Sequence, residues 1–275
     1  MLPDGMYTVN VSSFGPSSAT GAVDLGVKGA AATGYMLNLA PNASISVNVT
    51  EEFTSAETRG DVMQFGPSNV NQGRRGRYIQ VSLEPADEIG QERGAGMRQP
   101  TGPEDESLVL ENVQPGRYWV RVDSQRGFAA AIKCGEMDLL RHPLVVGAGG
   151  SSDPIELTMR DDGAQIDGII ENVPANSGAS FNPFAQMQTH VYLIPSQDST
   201  GQFREVWASP DGKFSSQQIP PGDYQVLAFD RPQPELEYRN EEAMRKYHSQ
   251  EKNIRLVAGQ KEELRLHMIS GSDER

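Results

Sequence analysis

Short runs of alternating apolar and polar residues recur along almost the whole chain. Tyr7-Thr8-Val9, Ile45-Ser46-Val47-Asn48-Val49, Ile79-Gln80-Val81-Ser82-Leu83, Ile155-Glu156-Leu157-Thr158-Met159, Tyr224-Gln225-Val226 and Leu264-Arg265-Leu266 all set apolar side chains two residues apart. Successive strand residues point to opposite faces, so each run predicts a strand that buries one face and wets the other. Glycine and proline punctuate the runs, which argues for turns at short intervals. The one stretch with helical spacing is residues 240–250, where Asn240 can cap and Ala243, Met244 and Tyr247 follow on one face. It predicts one short helix near the C-terminus, crossing between strands and packing Met244 and Tyr247 on a sheet.

The runs repeat. One phrase occurs three times, as Leu2-Pro3-Asp4-Gly5-Met6-Tyr7-Thr8-Val9, Val113-Gln114-Pro115-Gly116-Arg117-Tyr118-Trp119-Val120 and Ile219-Pro220-Pro221-Gly222-Asp223-Tyr224-Gln225-Val226. It predicts a tight turn in which proline fixes φ and Gly5, Gly116 or Gly222 takes a conformation other residues avoid. A strand follows, with Tyr7, Tyr118 or Tyr224 turned to the same face as the next valine. A second phrase pairs residues 35–39 and 43–49 with residues 155–159 and 164–170, and returns in part at 253–257 and 263–269. A third links Tyr78-Ile79-Gln80-Val81-Ser82-Leu83-Glu84-Pro85 with His190-Val191-Tyr192-Leu193-Ile194-Pro195.

Ordered along the chain, the phrases describe one unit: an opening strand, a Val-x-Leu-x-Pro strand, a strand before the turn, the Pro-Gly-x-Tyr strand, and closing strands. Strands this short and this frequent predict an all-β protein of tandem immunoglobulin-like or transthyretin-like β-sandwiches. One unit covers residues 42–160 and another 161–275. Residues 1–41 match only the later half of a unit, so they are expected to be half of a sandwich, either truncated or completed by another chain. Residues 57–76, 86–105, 176–188 and 196–203 read as surface loops, where recognition would sit.

Composition narrows the function. The chain has 275 residues, with 24 Lys and Arg against 37 Asp and Glu, for a net charge of −13. That balance argues against nucleic acid or an anionic lipid surface as partner. No apolar stretch reaches the length of a membrane span, and Met1-Leu2-Pro3-Asp4-Gly5 lacks the basic and apolar regions of a secretory leader. A single cysteine, Cys134, excludes an intrachain disulfide and, with four histidines, a cysteine-rich zinc site.

The Pro-Gly-x-Tyr phrase, preceded by Asp211-Gly212-Lys213-Phe214 and followed by Leu227-Ala228-Phe229, resembles the carboxypeptidase-regulatory-like family of transthyretin-like sandwiches. That family's signature is an Asp-Gly-x-Phe strand, a short link and Pro-Pro-Gly-x-Tyr. Residues 164–269 match well; the middle unit matches around its turn but lacks the Asp-Gly-x-Phe strand, and the first portion matches only from its turn onward. The resemblance implies an extracellular, cell-surface or periplasmic bacterial module that is structural or adhesive and not catalytic. Such modules also occur as regulatory domains of secreted peptidases.

Candidate chemistry is sparse. His248-Ser249-Gln250-Glu251 has the spacing of a metallocarboxypeptidase His-x-x-Glu, with His267 as a conceivable third ligand, but no surrounding enzyme fold accompanies it, and exposed polar residues are the better reading. Cys134 is expected on a strand as a buried thiol. The acidic pairs Asp161-Asp162 and Glu104-Asp105-Glu106 lack the spaced ladder of a calcium loop. The opening strands contain no Lys for an isopeptide bond. Trp119, out of phase with Tyr118 and Val120, faces outward and is the candidate ligand contact for a glycan. Asn10, Asn42 and Asn48 stand in glycan-acceptor sequons. We therefore expect no enzyme, cofactor or metal, and partners that are proteins, further copies of the chain in a filament, or glycans.

Overall fold

Alternation becomes burial wherever a second sheet is present to cover the apolar face. The computed structural model describes residues 3–13, 18–29, 34–54, 79–86, 95–99, 101, 105, 107–149, 152–172, 189–196, 199–234 and 236–270. Among these the chain is nearly all strand, with one short helix near the C-terminus. Two units are distinguished, one formed by Met1–Glu51, Asp61–Gln125 and Ala131–Thr158, the other by Glu52–Gly60, Arg126–Ala130 and Met159–Arg275.

The first unit opens with β1 (Gly5–Ser13), β2 (Ala19–Val27) and β3 (Ala40–Pro41), a sheet in that order. Next come β4 (Ala43–Glu52), β5 (Ile79–Pro85), β6 (Ala95–Gly96), β7 (Leu108–Val113), β8 (Gly116–Ser124), β9 (Phe128–Cys134), β10 (Met137–Asp138), β11 (Leu144–Val146) and β12 (Ile155–Arg160). They form two sheets, β10-β9-β12-β4-β7 and β11-β8-β5-β6. Along β4, Ala43, Ile45 and Val47 are buried while Ser44, Ser46 and Asn48 are exposed; β5 buries Ile79, Val81 and Leu83 in the same period. Each large apolar side chain removed from water contributes about 1.5–3 kcal/mol, so this face dominates the sheet's stability.

The second unit contains β13 (Ala164–Glu171), β14 (His190–Pro195), β15 (Arg204–Trp207), β16 (Lys213–Ile219), β17 (Gly222–Phe229), helix α1 (Glu241–Met244), β18 (Lys252–Leu256) and β19 (Lys261–Ile269). One layer is β16-β13-β19 and the other β15-β14-β17-β18, joined where Ala228 and Phe229 pair with Met268 and Ile269. Ile166, Phe214, Leu264 and Leu266 of one layer share a core with Val191, Leu193, Tyr224 and Val226 of the other. β14 is buried on both faces, because Tyr192 and Ile194 meet a second cluster of Leu227, Phe229, Met244 and Tyr247. The helical segment thus covers the outer face of the sheet, as the spacing of Met244 and Tyr247 predicts.

That segment is shorter than residues 240–250. The side chain of Asn240 accepts from Glu242 N (3.1 Å) and Ala243 N (3.3 Å), α-helix lasts to Met244, and a tighter 3-10 turn runs over Arg245–Tyr247. Residues 35–39 are also not a strand, unlike their counterparts in β12. In the complete copies the closing strand lies beside the opening strand, β12 beside β4 and β19 beside β13. No opening strand stands beside residues 35–39 among the described residues, and Tyr35, Met36 and Leu39 remain exposed. The 86–105 segment is not wholly loop, since Ser82 and Leu83 pair with Gly96 and Ala95. The expected loops at 57–76 and 176–188 lie outside the described residues.

Candidate functional site

The repeated phrase builds the same local structure three times. Tyr7 Oη donates to the carbonyl of Pro3 at 2.8 Å, Tyr118 Oη to that of Gln114 at 2.9 Å, and Tyr224 Oη to that of Pro220 at 2.7 Å. Each tyrosine reaches back four residues and ties its strand to the preceding turn, the geometry of a tyrosine corner. Burial raises the proton affinity of the Tyr118 and Tyr224 hydroxyls, which keeps them donors. The next partner strand is held in one register throughout: Gly5 faces Val27 and Tyr7 faces Leu25, Gly116 faces Val146 and Tyr118 faces Leu144, Gly222 faces Leu256 and Tyr224 faces Ile254.

Gly5 and Gly116 do not take positive φ, unlike the expectation, whereas Gly222 does, at +158°, a backbone conformation that other residues rarely adopt. Gly222 is required for space as well, because a Cβ there would collide with Ser199 Oγ. That hydroxyl accepts from Gly201 N (3.0 Å) and Asp223 N (3.1 Å), fastening the 196–203 segment to the head of β17. Across the other turn, Asp211 takes hydrogen bonds from Lys213 and Ser209, which hold its carboxyl down to about 2. Gly212 takes the left-handed conformation, φ +81°, in the turn that carries the chain from β15 in one layer to β16 in the other.

Acidic side chains are spent on structure. The carboxylate of Asp105 accepts from the Ser107 hydroxyl, Thr101 N (2.9 Å) and Arg98 (2.9 Å), which depress it well below the usual carboxylate range; Glu104 and Glu106 lie outside the described residues. Asp161 accepts from Thr54 N and Oγ1, and Asp162 pairs with Arg160. His248 is half exposed with its Nδ1 3.6 Å from a buried Glu251, while His267 lies 3.4 Å from Glu171. Among the described residues no three His, Cys, Asp or Glu side chains stand together as metal ligands.

Cys134 is half-buried at the end of β9, not enclosed as expected, because the chain turns out at Gly135. Its Sγ donates to the carbonyl of Asp153 at 3.5 Å. Burial, with the nearby Asp153 charge, pushes the thiol up despite the Ser152 hydrogen bond, so the neighbouring Lys133 does not activate it.

Trp119 is half-buried on β8, opposite Glu84, while Tyr118 and Val120 beside it point into the core. The more accessible indole is Trp207 on β15, 65% exposed. Glu205 Oε1 receives its Nε1–H at 3.3 Å and the Tyr192 hydroxyl at 3.4 Å, and lies 2.5 Å from His190 Nδ1. Sequence alone did not point to this cluster, which exists because β14 and β15 pair with His190 opposite Trp207 and Tyr192 opposite Glu205. A cleft of about 260 Å³ lies elsewhere in the same unit, lined by Ser196, Gln225, Tyr238, Arg239, Glu241 and His248. Asn10 and Asn48 are exposed and Asn42 half-buried, with Asn48 donating to Glu156.

No family model matches the chain, and no curated protein does. Among solved structures it is similar to the Bacillus anthracis TIE protein, at 9% identity and a TM-score of 0.23 over 97% of this chain and 43% of that one. A leucine-rich repeat protein from Bacteroides thetaiotaomicron gives 10% identity and 0.21 over 83% of this chain and 26% of that one. The minor pilin of the gram-positive pathogen Streptococcus agalactiae gives 8% and 0.21 over 69% of this chain and 81% of that one. The chain therefore spans less than half the length of the first two. At these TM-scores the likenesses carry no argument about its function.

Proposed function

We propose that this chain is a non-catalytic structural or adhesive protein of tandem β-sandwiches, over residues 42–160 and 161–275 with residues 1–41 as the later half of a further one, working outside a bacterial cytoplasm. The observation that supports the reading is the threefold recurrence of one latched strand pair, with the tyrosine returned to residue i−4 and the same register each time. Copies of a scaffold present repeated surface and edges, and here the clustered acidic side chains hold turns and loops. The resemblance to carboxypeptidase-regulatory-like modules belongs to the same reading. Antibodies against the chain, applied to intact and to permeabilised source cells, test it. Labelling of intact cells, or of cells opened only at the outer membrane, is the expected result; labelling that requires opening of the cytoplasmic membrane would overturn it.

A second reading, a carbohydrate- or protein-binding accessory module, draws on the exposed Trp207 indole held beside Glu205. It expects glycan-array signal that Trp207→Ala removes and Trp119→Ala reduces. An array with no signal removes glycans from this reading.

A further inference from the structure

Glu205 and Trp207 stand two residues apart on the outer face of β15, while Val206 between them packs against the core. Trp207 is 65% exposed, and Glu205 is the one polar partner of its side chain. Among the described residues no ring or cation lies against either face of the indole. The ring is thus tethered at its Nε1–H edge and open on its faces.

Glu205 is held by one oxygen. Its Oε1 lies 2.5 Å from His190 Nδ1 and receives the Trp207 Nε1–H at 3.3 Å and the Tyr192 hydroxyl at 3.4 Å. The Tyr192 hydroxyl accepts from Gln233 N at 2.9 Å, which leaves its own proton for Glu205. Oε2 has no partner among the described residues, on a side chain 37% exposed. His190 and Tyr192 are both buried on β14, so the carboxylate is fixed before any ligand arrives and little freedom is lost on binding.

An open indole face attracts a cation, and a carboxylate oxygen beside it supplies the opposite charge and an acceptor. The net charge of −13 favours a basic partner in the same sense. The single open oxygen then selects among cations. A guanidinium fork is best met by both oxygens of a carboxylate, and here three groups crowd one of them. A trimethylated ammonium has no N–H to donate. A primary ammonium needs one acceptor, and lysine carries it on a four-carbon stem that can lie along an aromatic face.

We propose that Trp207 and Glu205 form a docking site for a lysine side chain of a basic partner polypeptide, the stem on the indole and the ammonium on Glu205 Oε2. His190 and Tyr192 are positioning residues that hold the carboxylate by its other oxygen. The proposal rests on the accessory-module reading, in its protein-binding form, and names the partner's chemistry.

The test titrates the full chain with the capped peptide acetyl-Gly-Lys-Gly-amide and follows the indole Nε1–H signals of Trp119 and Trp207 by NMR. Saturable movement of the Trp207 signal, with that of Trp119 still, is the expected result. Peptides with arginine or trimethyl-lysine in place of lysine should bind at least about threefold more weakly, and Glu205→Gln should weaken lysine binding at least about fivefold. Trp207→Leu, followed through the Val206 backbone amide, should abolish the response and serves if Glu205→Gln does not fold. Equal affinity for the three peptides, movement of both indoles together, no movement, or binding that survives these substitutions would overturn the proposal. Tighter binding of a glucosamine oligomer than of a lysine oligomer of equal length would also overturn it, by making an amino sugar the occupant. Glycan-array signal that Trp207→Ala removes, in the absence of lysine binding, sinks the lysine site alone and leaves the accessory-module reading standing.

Discussion

β17 and β1 carry the same phrase, the same tyrosine latch and the same register with the strand that follows, yet Val226 is 0% exposed and Val9 is 39% exposed. The turn and its latch join residues four positions apart and form in both places. Burial needs a strand on the other edge and a facing sheet, and those come from distant residues. A latch can therefore be complete where a core is not.

The largest way to break the comparison is to delete the ring. Tyr224→Ala should cost about 3–5 kcal/mol in urea unfolding, against less than about 1 kcal/mol for Tyr7→Ala; equal costs would mean that β1 is covered after all. Gly222→Val should cost about 1–3 kcal/mol, since the new side chain displaces Ser199 from its two backbone donors, and an unchanged unfolding midpoint would refute that contact. Removing only the hydroxyl sharpens the point. Tyr224→Phe leaves a buried carbonyl at Pro220 without its donor and should cost about 1–2 kcal/mol, while Tyr7→Phe, at a wet site, should fall within about 0.5 kcal/mol of no change.

The last unit's turn offers a pH test. Asp211 has its affinity for protons lowered on folding, so what it contributes is present above the ordinary carboxylate range and fades as pH falls through about 2. Lys213→Ala should move the NMR titration of Asp211 upward, toward the ordinary carboxylate range. The smallest effect concerns Cys134: its alkylation should rise with pH later than that of a peptide cysteine, and Asp153→Asn should shift the profile modestly downward.

Strand positions and the repeat were legible in the sequence because alternation and Pro-Gly turns are local signals. The helical segment was legible in its buried residues, Met244 and Tyr247, but its length was not, since the 3-10 turn at Arg245–Tyr247 has no spacing of its own. Residues 35–39 misled for an instructive reason: the pattern of a strand is present, but a strand also needs a neighbour. The need for glycine at 222 was legible in the turn phrase and its positive φ agrees with it, but the crowding by Ser199 was not legible, because Ser199 approaches from another segment. The Trp207, Glu205 and His190 cluster arises from pairing between β14 and β15, which alternation alone does not fix.

The parallel pairing of β13 with β19, from Gln165↔Lys261 to Glu171↔His267, has a mechanical consequence. First and last strands running the same way bring the chain in at one pole of the last sandwich and out at the other, roughly 25 Å apart at 3.3 Å per residue. Tension applied between Ala164 and Ile269 therefore loads those hydrogen bonds in shear, all together, where a hairpin would unzip them one after another.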